Sequence, residues 1–203
     1  FAHGASGMIC ALAISESHTK CNGIKVAIEK AIQFQLNNLS ERGEWLNLEL
    51  AHVGQTEIPS RTWCGGAAGA LIAAAVIKKA GLEDIEGYES WLNLARDAAL
   101  NHTPVRDQIC CGVPGWAMAL AAAGRSLNDK ILISESNKRL EQWIEEVENG
   151  KELYLRDLKS HKLSPPGLFV GRAGVGLTLL HGDQETWVKD SLISCGYLAG
   201  IQH

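Results

Sequence analysis

Cys110, Cys111 and Gly112 stand together in the stretch QICCGVPGWAMAL, where a proline-glycine turn opens an apolar run that reads as a helix. A disulfide between neighbours is strained. Two core thiols would not need the glycines that surround them. Metal is the third chemistry open to such a pair. Zinc takes thiolate sulfur and imidazole nitrogen in a tetrahedron, and a reactive zinc keeps three protein ligands and one open position. Cys64, in WCGGAAGALIAAAV, has the same glycine-rich surroundings and supplies a third sulfur. The competing account is burial: Cys64 as a small core residue, and one of the adjacent pair closed off from solvent. Spacing alone does not decide between them, because this is not a CxxC pair.

A repeat sharpens the question. A Gly-x-x-Gly unit followed by an apolar run occurs four times, at Gly4/Gly7, Gly66/Gly69, Gly112/Gly115 and Gly171/Gly174. Successive units are 62, 46 and 59 residues apart, and each interval has room for two helices. Glycines at helix starts permit tight turns and close backbone packing. Aligned on the first glycine, Ala2, Cys64, Cys110 and Phe169 share one position, and His3, Gly65, Cys111 and Val170 the next. If the hairpins pack in a ring, equivalent positions converge at one end. Cys64, Cys110, Cys111 and His3 then gather at a single mouth, where helix N-termini favour thiolates over thiols. Cys10, Cys21 and Cys195 fall outside the aligned positions and read as ordinary thiols.

The elements that must position these residues are helices. Ile24–Leu39, Tyr88–Leu100 and Asp129–Val147 carry apolar residues mostly at i, i+3, i+4, with polar residues on the outer face, and Ala67–Ala80 is an alanine-rich helical run. Lys78, Lys79 and Gly81 stop the alanine-rich helix, and Pro104, Pro114, Pro165 and Pro166 fall in connections or at helix starts. No strand and no low-complexity linker stand out, so the chain is expected to be one all-α domain. Its 203 residues are 46% apolar and 21% charged, ordinary for a globular protein. A net charge of −4 gives no reason to expect nucleic acid or an anionic membrane. The longest apolar run, Ala67 to Ile77, is too short to span a bilayer. No secretion signal is visible, which favours reduced thiols over three disulfides for the six cysteines.

HGASG, WCGGAAG, CCGVPG and PPGLFVGRAGVG together resemble the lanthionine synthetase C-like cyclases. They are most similar to the cyclase domain at the C-terminal end of class II lanthipeptide synthetases. The resemblance implies an α/α toroid with glycine-rich turns before its inner helices, of which this chain forms about half. Residues 1–203 are then a partial cyclase domain, with the upstream half and any dehydratase domain absent. The resemblance also implies a zinc ion on Cys64, Cys110 and Cys111. Trp63-Cys64 matches a tryptophan-cysteine pair of the family. Cys110-Cys111-Gly112 matches a Cys-His-Gly motif whose histidine has become cysteine. Three cysteine ligands resemble the prochlorosin-type synthetases, which process many precursor peptides.

Ala2-His3-Gly4 matches the family's Ala-His-Gly, which implies that His3 is the catalytic acid. Arg61 corresponds to an arginine shortly before the zinc cysteine. Gly65 replaces the aromatic or histidine that often follows that cysteine. The catalytic aspartate is expected before Phe1. Trp116, next to Gly115, is expected to line the pocket. The implied reaction adds a cysteine thiol of a dehydrated precursor peptide to dehydroalanine or dehydrobutyrine, giving a thioether ring. The partner is that peptide with its leader, the expected location is the cytoplasm, and neither nucleic acid nor membrane takes part. The segment Glu135–Lys162 reads as an outer helix and loop that could touch a leader. His18, His52, His102, His161, His181 and His203 carry no ligand spacing and read as solvated.

Three other readings remain open on the residues. A glutathione-adding relative would carry Cys-His-Gly rather than CCG. A non-catalytic zinc-stabilised scaffold that binds peptides would need a fourth protein ligand. A toroidal glycosidase would need paired carboxylates at the mouth.

Overall fold

Alanine and leucine are strong helix formers, and their periodic runs become helices here. The computed structural model describes residues 1–2, 4–46, 60, 62–101, 103–155 and 166–180. Among them are seven helices: α1 (Ala5–Thr19), α2 (Asn22–Asn37), α3 (Ala67–Lys79), α4 (Tyr88–Leu100), α5 (Val113–Leu127), α6 (Lys130–Glu148) and α7 (Arg172–Leu180). The described residues contain no strand, only isolated bridges joining Leu39 to Trp45 and Arg106 to Gly112. Trp45, which sits within a helical pattern in the sequence, lies just past α2 in the first of these bridges.

The helices form three hairpins and the start of a fourth. α2 packs on α1, α4 on α3 and α6 on α5. α3 also meets α1 on one side and α5 on the other, while α2 touches α4. The first helices of the hairpins thus form an inner row and the second helices an outer one. α3 sits at the centre, and every residue from Ala67 to Ile77 is buried. Its alanines leave room for two inner neighbours to approach. Gly81 ends it at φ +70, with Leu82 N donating to the Ile77 carbonyl and Gly81 N to the Lys78 carbonyl. That pairing satisfies carbonyls the helix end would otherwise leave open.

The outer helices are amphipathic, as their periodicity requires. α4 buries Tyr88, Trp91, Ala95 and Ala99, and α6 buries Leu132, Ser136, Leu140 and Trp143. Buried polar groups tie the layers together. Gln35 accepts from the indole nitrogens of Trp45 at 2.7 Å and Trp91 at 3.2 Å, and its amide donates to Ser6 Oγ at 3.0 Å. Ser136 Oγ donates to the Ala117 carbonyl at 2.7 Å. No helix of the described residues is long and apolar enough to cross a membrane.

Candidate metal centre

The inner helices α1, α3 and α5 begin in the same way. Their N-caps are Gly4, Gly66 and Gly112, all in extended backbone and none with a side-chain cap. Three residues on, the second glycine of each repeat lies against the carbonyl six residues before it. A Cβ at Gly7 would land on the Phe1 carbonyl, at Gly69 on that of Trp63, at Gly115 on that of Ile109, and at Gly174 on that of Leu168. The chain therefore folds back over each helix start at one spot, and only a residue without a side chain fits there. This gives the second glycines of the repeat a physical role and holds the preceding residues over the helix N-termini.

The turns converge as the repeat requires. Cys64 Sγ lies 3.2 Å from Cys111 Sγ, and Cys111 Sγ lies 3.4 Å from Cys110 Sγ. All three sulfurs lie within 4.8 Å of one another. These separations are far beyond the roughly 2.05 Å of a disulfide. They are slightly tighter than the roughly 3.8 Å that a tetrahedral zinc with sulfur at about 2.3 Å imposes. Among the described residues no fourth histidine, cysteine, aspartate or glutamate joins the group. Three clustered sulfurs are a donor set that could hold a thiophilic metal ion.

The three thiols shift one another's acidity in opposite directions. The Cys64 thiol is pushed well below its ordinary value, because the Cys110 and Cys111 thiols donate to its thiolate while burial opposes the shift. Thr62 Oγ1, 3.4 Å from Cys64 Sγ, adds to that lowering. Cys110 moves upward through its bonds with Cys111 and Cys64 and through burial. For Cys111 the bond with Cys110 pulls downward, but the bond with Cys64 and burial outweigh it and the net shift is upward. Three clustered thiols cannot all ionise without a cation. A metal ion would change that balance for all three.

Residues around the sulfurs fix the turns. Trp63 is sandwiched between Phe1 and Phe169, with ring centroids 5.6 and 5.4 Å apart. Phe1 N lies 2.7 Å from the Cys64 carbonyl, and Cys110 N donates to the Phe169 carbonyl at 2.8 Å. Asp107, three residues before Cys110, is fully buried. It accepts from Trp143 Nε1 at 2.7 Å, Lys151 Nζ at 3.0 Å and Tyr154 N at 2.6 Å. The Arg106 guanidinium lies 5.8 Å over the Tyr154 ring, and its charge favours a thiolate at Cys111.

Sequence reasoning passed over Thr62, Arg106 and Asp107. A lone aspartate near a turn carries no pattern, because its partners come from α6 and the segment beyond it. Phe169 did carry a signal, its place in the aligned repeat.

Trp116 is a correction. It was expected at a pocket wall, but it is fully buried in the core and its indole nitrogen donates to the Ala99 carbonyl at 3.0 Å. The residue after the second glycine is already inside α5, one turn below the mouth. His3 and Arg61 lie outside the described residues. So do Cys195 and the listed histidines other than His18, which is exposed. Cys10 is buried and Cys21 is exposed.

The family model for lanthionine synthetase C-like proteins matches residues 1–189. The chain belongs to the lanthionine synthetase C-like family. No curated protein matches it. Among solved structures it is similar to nisin cyclase, at 18% identity and a TM-score of 0.67. The match covers 97% of this chain and 50% of nisin cyclase, so the chain spans half the length of that protein. At this identity the likeness establishes the fold. The two rows of helices are about half of an α/α toroid.

Proposed function

We propose that this chain carries the metal-holding half of a zinc-dependent lanthipeptide cyclase. The observation that supports this reading best is the trio Cys64, Cys110 and Cys111, brought within 4.8 Å on two helix-start turns of a lanthionine synthetase C-like fold. The substrate is a dehydrated precursor peptide bearing a leader, and the setting is the cytoplasm. The reaction adds a cysteine S–H across the C=C bond of dehydroalanine or dehydrobutyrine. A C–S bond forms at the β-carbon and a C–H bond at the α-carbon, with no net oxidation. The ion, when bound, supplies a positive charge that lowers the pKa of a substrate thiol at its open position.

The chain's own residues do the rest. Cys64, Cys110 and Cys111 hold the ion, with Thr62 oriented on Cys64. His3, next to the N-cap glycine of α1, delivers the proton that the α-carbon takes up. Arg61, in the turn before Cys64, offers positive charge to the enolate oxygen. Three thiolates leave the site one negative charge richer than two thiolates and an imidazole. This favours a more electron-rich substrate sulfur and a wider range of peptides, as in the three-cysteine synthetases.

Zinc content tests the metal. Wild type is expected to carry one zinc per chain, and Cys64→Ala and Cys110→Ala to lose it. Stoichiometric zinc retained in both variants rejects the site. Cyclisation is scored on a dehydrated peptide with free cysteines, by loss of alkylatable thiol.

A further inference from the structure

We infer that Phe169 is a positioning residue that clasps the two cysteine-bearing turns together. Its ring lies nearly parallel to Trp63, at 5.4 Å and 8°, and Trp63 immediately precedes Cys64. Its carbonyl accepts from Cys110 N at 2.8 Å. One residue of the fourth repeat therefore grips the Cys64 turn through its side chain and the Cys110-Cys111 turn through its backbone. Cys64 and Cys111, one on each turn, come within 3.2 Å of each other, sulfur to sulfur.

The repeat explains the choice of residue. Phe169 occupies the position of Cys64 and Cys110 in its own unit. A third sulfur of this kind is absent there, and the position is used for holding. Its own turn is rigid. A Cβ at Gly174 would land on the Leu168 carbonyl and 3.1 Å from Ile109 Cδ1, so the fourth turn is seated closely on the third. Trp63 also stacks on Phe1, at 5.6 Å and 29°, which adds a second aromatic contact to hold it in place. Groups that orient metal ligands from behind govern affinity nearly as strongly as the ligands do.

The inference rests on the metal reading for its consequence, but the clasp itself is measurable without metal. Zinc affinity is read by chelator competition on wild type, Phe169→Leu and Phe169→Tyr. Leucine keeps an apolar side chain and removes the stack, and tyrosine restores the ring. Phe169→Leu is expected to weaken zinc about 10- to 100-fold, and Phe169→Tyr to bind like wild type.

The second measurement uses metal-free protein in a Cys110→Ala background. The Cys64–Cys111 disulfide is equilibrated against glutathione. Phe169→Leu is expected to lower its formation constant about tenfold, because the two thiols no longer sit face to face. Wild-type values for Phe169→Leu in both measurements overturn the clasp. If wild type takes up no zinc while Phe169→Leu still loosens the thiol pair, the metal reading fails and the clasp stands. If zinc is lost in Cys64→Ala but Phe169→Leu leaves both zinc affinity and the thiol pair at wild-type values, the metal reading stands and the clasp fails.

Discussion

The inner helices and the outer helix α6 solve the problem of starting a helix in opposite ways. α6 begins at Asp129, whose carboxylate accepts from Ile131 N at 2.9 Å and Leu132 N at 3.2 Å and pairs with Arg96 Nε at 2.6 Å. That is a cap made for stability, with the carboxylate placed on the positive end of the helix. α1, α3 and α5 begin with glycine and have no side-chain cap. They give up that stabilisation and gain a chain that folds back directly over the helix end. Two of those folded-back segments carry the thiols. The mouth is thus built for proximity of reactive groups, and the outer layer for holding the mouth in place.

Asp107 joins the two regions, and removing it should have the largest effect. Asp107→Ala removes the carboxylate that accepts from the Trp143 indole and Tyr154 N and leaves Lys151 paired with Glu146. The loss is expected to cost about 3–5 kcal/mol in denaturant unfolding, at about 1.5–3 kcal/mol for each hydrogen bond to a charged group. Zinc uptake by the fraction that stays folded should fall as well. Gly115→Ala tests the folded-back segment itself. Its methyl would land on the Ile109 carbonyl, next to Cys110, for about 3 kcal/mol of strain. If Gly115→Ala unfolds at the wild-type denaturant midpoint, the close approach at the mouth is not what fixes the turn.

The outer cap should be worth less. Asp129→Ala is expected to cost about 1 kcal/mol, since one cap and one partly exposed ion pair are lost. Its pH dependence follows from the shift at Asp129. Burial opposes ionisation there, but the bond from Arg96 and the two backbone donors outweigh it, so the folded-state pKa is lowered. The group's stabilisation is complete above the ordinary carboxylate pKa and fades as pH falls through the lower folded value. Urea midpoints of wild type and Asp129→Ala should therefore converge in acid. A gap that widened below pH 4 would contradict the assignment.

The smallest effect belongs to the third sulfur. Cys111→His keeps a ligand and removes one negative charge. It is expected to slow cyclisation of poorly placed peptides by about tenfold or less, a change of no more than about 1.4 kcal/mol in barrier. Well-placed ones should be slowed less. Competition between two dehydrated peptides reads this directly. Faster or broader cyclisation by Cys111→His refutes the proposed benefit of the sulfur.

Much of this was legible in the chain. The 3.6-residue periodicity located the outer helices to within a few residues, because α4 and α6 each bury a single stripe, and the alanine-rich run located α3, which is buried all round. The four glycine pairs revealed the repeat, because a backbone crossing against a helix start excludes any side chain. That repeat placed Cys64 and Cys110 in equivalent positions and so predicted their meeting. Trp116 was misplaced because repeat position tells where a residue lies along a helix start but not which way its side chain turns. It points into the core, where an apolar ring with one N–H finds both burial and the Ala99 carbonyl.

The sequence alone determined the helical class, the repeat and the residues that carry sulfur, since these depend on local periodicity and on residue type. Tertiary structure alone decided which sulfurs touch, that Asp107 anchors the dithiol turn, and that Phe169 bridges the two turns. Each of those depends on partners distant in the chain. Cys64 and Cys111 are 47 residues apart in the chain, Phe169 and Trp63 further still. Only the packing of α3 against α5, and of the fourth turn against the third, brings them within reach of one another.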